Sequence, residues 1–576
     1  MGNDNGTAVI HFKSIGAGRR QTRPVPKGRQ VDPEAEREVA ALLGDRPLSR
    51  DYLIEHLHLV QDTHHQLSLR HLAALAKLMR LAFAEVYETA TFYSRLDVVR
   101  EGEPDRPPLT IRVCESPSCA MFGADGLRAK LQAASATGEL GAAARVLPSP
   151  CFGLCDQAPT VEIGKRFVHK STVESVKAAV VHGELGPELR PDTIDYDRYR
   201  AGGGYRLVER LLSGELTPDA VLAIMDKAVI RGLGGAGFPT GRKWHSLRAT
   251  PGRKLMAVNG DEGEPGTFKD RHFLEGDAHR VLEGATIAAL VTGVSEIYLY
   301  VRDEYPAAHV ILAREIAKRP VHWPPIHLRR GAGAYICGEE TAMLESIEGK
   351  RGTPRQKPPY PFEVGLFGHP TLIDNVETLT WVRDILEKGA DWWNSFGRHG
   401  HVGQRTFSVS GRVKHPGLKL APVGITAREL IDEYCGGMVD GHTFTGYLPG
   451  GASGGILPAS MADIPLDFGT LEKHGCFIGT AAVLVFSQAD DIPAVAVRLA
   501  RFFEDESCGH CTPCRRGTQK ARMLVEAGNW DRTLLGDLAD VMGDASICGL
   551  GQAAMNPISC VLRYFPEAVA AKGATK

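Results

Sequence analysis

The stretch "ESCGHCTPCRRGT", Glu506 to Thr518, spaces Cys508, Cys511 and Cys514 three residues apart. A C-x2-C-x2-C run with a distant fourth thiol is a ferredoxin-type spacing for a [4Fe–4S] cluster. Each iron of such a cluster takes one thiolate, so one turning loop can supply three and a remote residue the fourth. That fourth ligand is expected at Cys548 in "SICGLGQ". Zinc fits this spacing less well, because structural zinc sites usually recruit two separated pairs. A second set does come as two pairs: Cys114 and Cys119 in "CESPSC", then Cys151 and Cys155 in "CFGLC". Two thiolates per iron suit a [2Fe–2S] rhomb, and from spacing alone zinc stays a rival there. Among the other thiols, core packing is expected for Cys435, Cys476 and Cys560.

Between the two thiol sets lie three stretches with ligand-binding character. "RGLGGAGFPTGRKW", Arg231 to Trp244, has five Gly within eleven residues. Exposed N–H groups on such a loop can cradle a phosphate or a flat ring, and Lys243 can add one positive charge. The loop does not follow a strand, as a dinucleotide fingerprint must, and it lacks the GK[ST] of a P-loop; a plain tight loop is the competing reading. "NGDEGEPGTFKDR" follows the apolar run "LMAV", and its Asn259, Asp261, Glu262 and Glu264 are acceptors suited to ribityl or ribose hydroxyls. "GAGAYICGEETAMLES" repeats the design with Glu339 and Glu340. Either acidic stretch alone reads as a solvated turn. Together, in one α/β region flanked by two iron–sulfur sites, they point to a redox cofactor.

The elements that must position these residues follow from periodicity. Residues 33–100 carry Leu and Ala at helical spacing. From 109, "LTIRVC" is a strand, "GADGLRAKLQAAS" a helix, "TVEIG" and "RFVHK" a hairpin, and "TVESVKAAVVHG" a closing helix. A polar segment with Gly and Pro at 185–203 reads as a linker and predicts that the halves on either side fold independently. Next, "KLMAVNG", "EIYLYV" and "IHLRR" alternate with helical stretches, the pattern of a parallel sheet with covering helices. A β-rich unit begins near 404, and residues beyond 490 are helical. The net charge of −2 gives no field that would draw the chain to nucleic acid. No apolar run reaches the ~18 residues of a membrane span. The basic N-terminal residues lack an apolar stretch behind them, so no secretory signal is expected and a cytoplasmic location is.

Those motifs, with "IEGKRGTPRQKPPYPFEVGLFGHPTLIDNVET", resemble the flavin subunit of the NADH-oxidising module of respiratory complex I. Residues 33–184 resemble its [2Fe–2S] thioredoxin-like companion, here fused in front. Two relatives share this fused plan: the diaphorase subunit of NAD-reducing hydrogenase and the β subunit of soluble NAD-dependent formate dehydrogenase. "VPKGRQVDP", "LIEHLHLVQDT" and "GGASGGILPASMADIPLDFGTLEKHGCFIG" are most similar to the latter.

The resemblance implies an α/β multidomain fold. Its parts are a flexible arm at 1–32, a helical plus thioredoxin-like [2Fe–2S] domain at 33–184, a linker at 185–203, a Rossmann-like FMN- and NADH-binding domain at 204–403, a ubiquitin-like β-rich domain at 404–488 and a helical [4Fe–4S] domain at 489–576. It implies FMN held by Gly232, Gly234, Gly235, Lys243, Asn259, Asp261, Glu262, Tyr335, Gly338, Glu339 and Asn375. NAD(H) would be contacted by Phe238, Lys243, Glu264, Glu340 and Lys357. The implied partner is a molybdenum- or tungsten-containing, formate-oxidising α subunit with its own Fe–S clusters. A complex I or hydrogenase assembly is the alternative. An Fe–S relay or zinc adaptor without nucleotide binding is a reading of a different class. Three departures stand out: Leu233 where relatives often carry Arg, Asp374 where they often carry a second Asn, and Tyr360 in place of Phe.

Overall fold

The computed structural model describes residues 29–141 and 143–574, with side chains to residue 570. The expected N-terminal arm therefore lies outside the described residues, apart from 29–32. Four helices come first: α1 (Pro33–Leu43), α2 (Leu53–His64), α3 (Leu69–Leu78) and α4 (Phe83–Phe92). Asp32 caps α1 by accepting the Glu34 N–H at 2.8 Å, and Gly44 ends it.

The next sheet has four strands: β1 (Leu109–Cys114), β2 (Ala144–Ser149), β3 (Val161–Ile163) and β4 (Arg166–Val168), in the order β2–β1–β3–β4. Sequence periodicity misses β2. "ARVLPS" carries a Pro and buries only Val146 and Ser149, so it lacks the alternating apolar signal of a half-buried strand. It pairs parallel to β1, which places the loop carrying Cys151 and Cys155 beside the end of β1, where Cys114 lies.

The second sheet holds β5 (Lys254–Gly260), β6 (Val294–Val301), β7 (Ile326–Arg330) and β8 (Thr371–Asn375), all parallel, in the order β8–β5–β6–β7. Leu255, Met256, Ala257 and Val258 are all buried, as expected of a central strand covered by helices on both faces. A third, five-stranded sheet comprises β9 (Gln404–Gly411), β10 (Gly417–Pro422), β11 (Phe444–Leu448), β12 (Leu457–Pro458) and β13 (Ala482–Ser487). The C-terminal helices Ile492–Asp505, Thr512–Glu526, Arg532–Ala545 and Asn556–Tyr564 follow. No helix among the described residues is long and apolar enough to cross a membrane.

Two expectations from the sequence are corrected. The first concerns independent halves. The β1–β4 sheet has its own core, but α1–α4 share one continuous core with Ile336, Leu344 and Ile347 from the second sheet's region and with the C-terminal helices. Tyr93 reaches across, its hydroxyl donating to Lys350 O at 2.7 Å and lying 2.9 Å from the Ser346 hydroxyl. Arg329 on β7 bonds Glu55 of α2 at 2.6 Å. The second concerns the linker. Its later part is docked: the Ile194 N–H donates to Gly276 O at 2.8 Å, and Tyr199 is buried with its hydroxyl on Glu283. A polar composition hid this because the few apolar side chains, Ile194, Tyr196 and Tyr199, are joined by polar contacts such as Thr193 Oγ1 on Glu275 O at 2.8 Å.

Two outcomes follow from this packing. A chain beginning at residue 186 leaves the core opposite α1–α4 open, and each large apolar side chain so exposed forfeits about 1.5–3 kcal/mol. That fragment should show no cooperative thermal transition. A transition within a few degrees of the full chain would contradict the shared core. The second outcome is a pH effect. Burial, with the Arg330 charge, pushes His58 down to about 3; burial does the same to His309, to about 4. Both stay neutral in the folded chain while the unfolded chain takes up protons below ~6.5, so stability falls as pH drops below that value. Each contributes up to about 1.4 kcal/mol per pH unit. Buried carboxyls such as Glu262, pushed up to about 7, act in the opposite sense, so the measurement is a difference: between pH 7 and 5 the thermal midpoint of the parent should fall relative to that of His58→Gln.

Candidate functional site

The chain runs from β5 to β6 to β7 in one direction across the second sheet and then returns to place β8 on the other side of β5. Strand order reverses there, and at such a point the connections leave the carboxyl ends in opposite directions and open a crevice. Asn259 and Asn375, the register partners at the ends of β5 and β8, stand on its floor. The crevice is an open cleft with about 1020 Å³ of space between its walls, its solvent-filled mouth included. Its walls come from the Gly-rich loop, the acidic turn after β5, the turn after β7, the β9–β13 unit and the C-terminal helices.

Ten of the expected residues line the cleft: Gly234, Gly235, Asn259, Asp261, Glu262, Glu264, Tyr335, Gly338, Glu339 and Asn375. Five do not. The Gly232 N–H closes the neck of the Gly-rich loop on Phe238 O at 2.9 Å. Phe238 is 48% exposed beside Arg242. Lys243 is turned away, its Nζ donating to Ile373 O at 2.6 Å and Asp374 Oδ1 at 3.0 Å. Glu340 and Lys357 pair with one another next to Glu339, outside the wall. Asp374 itself is buried and accepts Trp244 Nε1–H at 2.8 Å, so the Asp found where relatives often carry Asn is matched by Lys243.

The site also contains residues that motif reading passed over. Thr267, Lys269 and Asp270 line the cleft from the far end of the quoted acidic stretch; Ser453, Phe477, Gly479 and Thr480 come from the β9–β13 unit. The signal for Ser453 was its Gly-rich setting, "GGASGG". Lys269 is buried, with Nζ 2.8 Å from Asp270 Oδ1 and 3.3 Å from Glu377 Oε2. Burial works against its charge, but these carboxylates hold it above its usual range. Glu264 is already engaged: Tyr335 donates to one oxygen, and Ser453 donates its N–H at 2.8 Å and its hydroxyl at 2.6 Å to the other.

The cleft fits a polar, flat ligand. Asp261 Oδ2 is buried there without a hydrogen-bond partner, and burial raises this carboxyl well above the usual range. A hydroxyl or N–H of a ligand would satisfy it. Burial and the Asp270 charge push Glu262 up to about 7. Gly235 has φ +128°, and a Cβ there would face open cleft. A side chain at that position would be strained and would fill the space beside the loop N–H groups.

Both thiol sets converge. Cys508, Cys511, Cys514 and Cys548 line one small cavity with Ile336, Pro354, Ile547 and Leu550. Backbone N–H groups of Leu550 and Gly551 point at the Cys548 sulfur. Four sulfurs in an apolar pocket with N–H donors suit a cubane. Cys114, Cys119, Cys151 and Cys155 are buried together, with Cys151 and Cys155 Sγ 3.2 Å apart. The Gly266 N–H, from the acidic turn, bonds to this set, and Phe268 packs on Cys151 and Cys155. Cys435, Cys476 and Cys560 are buried, as expected.

Comparison with known proteins finds three matched regions. Residues 225–384 match the Nuo51 FMN-binding domain, 39–183 the thioredoxin-like [2Fe-2S] ferredoxin family, and 494–572 the NADH-ubiquinone oxidoreductase-F iron-sulfur binding region. The chain is 40% identical over 398 residues to the second F subunit of NADH-quinone oxidoreductase from Rhizobium meliloti, covering 65% of this chain and 93% of that one. It is 40% identical over 396 residues to the F subunit from Aquifex aeolicus, covering 66% and 91%. The crystal structure of an NAD+-reducing [NiFe]-hydrogenase in its H2-reduced state superposes with a TM-score of 0.79 at 31% identity, covering 91% of this chain and 94% of the other. The fold is thus a mixed α/β assembly of a thioredoxin-like [2Fe–2S] domain, an FMN-binding domain and a helical [4Fe–4S] region. Its cofactors are FMN, NAD(H) and these two clusters.

Replacing Cys548 with Ser should remove the cubane alone. Iron should fall from about six to about two atoms per chain, with FMN retained. Full iron content in that variant would show that the fourth ligand lies elsewhere.

Proposed function

The chain belongs to the family of NADH-quinone oxidoreductase F subunits, and we propose that it exchanges electrons between NAD(H) and a separate partner enzyme through its C-terminal cluster. It is an NADH-oxidising flavoprotein subunit. The observation that carries the proposal is a shared wall: Ile336 and Leu550 line both the cleft and the four-thiol cavity. A single layer of side chains therefore separates a flavin-sized cleft from the cluster.

When bound, FMN exchanges hydride with NAD(H) and single electrons with the cluster. The chain's own residues hold, orient and insulate. In this reading, Gly234 and Gly235 offer loop N–H groups to one face of the ligand. Asn259, Asp261, Glu262 and Asn375 accept or donate to its polar edge. Gly338 and Glu339 close the turn behind it. Lys269 supplies the buried positive charge of the floor, and Phe477 and Leu550 keep water from its apolar side. Glu264, buried and braced by Tyr335 and Ser453, lines the cleft where the nucleotide would enter it, with Phe238, Lys243, Glu340 and Lys357 outside the lining. Roles for these four require movement toward the cleft on binding.

The partner we propose is a molybdenum- or tungsten-containing formate-oxidising subunit, on the similarity of the three stretches quoted above. The alternative is a hydrogenase or a quinone-reducing complex, and the hydrogenase has in its favour the match over 91% of this chain. Tagging this chain in its native cell, isolating the assembly and supplying formate or H2 decides between them. Formate-driven NAD+ reduction with molybdenum or tungsten in the complex is expected. H2-driven reduction would assign the alternative.

Gly235→Ala tests the cleft itself. Flavin content should drop about tenfold or more, with iron unchanged, because the added Cβ projects into the cleft from a backbone that disfavours it. Undiminished FMN would move the flavin elsewhere.

A further inference from the structure

Away from the cleft, α1, α2 and α3 bring a carboxylate and two imidazoles together. Glu38 lies in the middle of α1, His64 is the last residue of α2, and His71 sits in the first turn of α3. The local chain fixes each one. His65 takes a left-handed conformation, φ 59°, which ends α2 and turns the chain sharply after His64. Ser68 then caps α3 by accepting the His71 N–H at 3.3 Å, which fixes the orientation of the first turn. As a result the two rings lie with centroids 4.3 Å apart at 31°, and His71 Nε2 is 2.8 Å from Glu38 Oε2. One ligand-capable atom from each of the three residues lies within 4.8 Å of the others.

This cluster is incompletely satisfied. His64 Nε2 is buried without a hydrogen-bond partner and is the atom an ion beside Glu38 and His71 Nε2 would satisfy. His71 is only 3% exposed. A buried ring nitrogen left bare costs on the order of 1–3 kcal/mol. Sequence reading treats these histidines as ordinary helix positions, and a core histidine needs no second imidazole and no carboxylate at its edge.

We propose that Glu38, His64 and His71 form a site for one divalent transition-metal ion of the zinc type. Two imidazoles and one carboxylate are a donor set that zinc accepts with a water in the fourth position. In a tetrahedron with ligands at about 2.0 Å, neighbouring donor atoms stand about 3.3 Å apart. The 2.8 Å between His71 Nε2 and Glu38 Oε2 opens by a few tenths of an ångström to reach that edge. Calcium and magnesium are disfavoured, because they require six or more oxygen ligands.

The neighbouring cation does not block the site. Arg70 Nη2 is 3.5 Å from Glu38 Oε2, but Arg70 Nη1 also lies 3.9 Å from Asp32 Oδ2, and the side chain is 44% exposed. Asp32 uses its other oxygen to cap α1, so Oδ2 is free to keep Arg70 when a metal takes Glu38. Glu38 and His64 are half-buried, which leaves the ion a path from solvent. Bound there, the ion ties together three helices that form one side of the shared core.

The test uses the full chain with its flavin and clusters, treated with a mild chelator and titrated with ZnCl2 against a chromophoric competitor. His64→Gln and Glu38→Gln are compared with the parent, since both positions are partly exposed and neither side chain fills the core. The parent should bind one more Zn2+ equivalent than either variant, or bind it about tenfold or more tightly, with iron and FMN equal in all three. Added Zn2+ should raise the thermal midpoint of the parent and leave those of the variants unmoved. Equal titrations and equal shifts in all three proteins, whether all bind zinc or none does, would overturn the site.

Discussion

The reversal of strand order between β5 and β8 is the constraint from which the rest of the site follows. Two parallel strands whose connections leave in opposite directions cannot have their carboxyl ends covered by the same helix. The gap must be lined by loops, and the polar strand-end residues Asn259 and Asn375 face it. Acidic side chains then collect in a space largely closed to water. Such a collection is costly without counter-charge, and burial raises Asp261, Glu262 and Asp270 above their usual ranges.

Lys269 and Arg302 answer that cost from opposite sides. Lys269 joins Asp270, Glu377 and Asn375 at the cleft floor. Glu377 in turn accepts the N–H and hydroxyl of Thr406 at 2.8 and 2.6 Å, which fixes the β9–β13 unit against the second sheet. Arg302 bonds Glu304, Glu262 O and Cys151 O, so the same charge that steadies the acidic turn also holds the loop of the buried cysteine set. The cleft and the [2Fe–2S] site are therefore parts of one electrostatic unit, although they are built from segments more than a hundred residues apart.

The shared core places the N-terminal helices in the same structural unit as the cleft. The turn after β7 is held from both sides: Glu506 accepts the Tyr335 N–H at 2.8 Å from the cluster side, and Ser94 bonds Gly333 O at 2.7 Å from the N-terminal side. A chain that fuses these parts keeps them in register without relying on association in solution.

The sequence by itself determined the chemistry and the order of parts. Cys508, Cys511 and Cys514 announced a cluster because a three-thiol run at that spacing has few other uses, and Cys114 through Cys155 announced a second metal site. The strand-like segments at 254–260, 296–301 and 326–330 announced a parallel sheet because they alternate with helical stretches. Ten of the cleft residues were anticipated, but tertiary structure alone decided which cation stands among them. Lys243 reads as a cleft cation, yet Asp374 draws it away. Lys269 reads as one charge in a polar turn, yet it is the buried cation of the floor. Strand β2 and the docking of residues 194–199 escaped notice because each depends on long-range partners rather than on local pattern. The same holds for α1–α4, whose amphipathic spacing reveals an apolar face but not the surface that covers it. Periodicity records how a segment divides water from core; it carries no information about which distant charge or surface completes the contact.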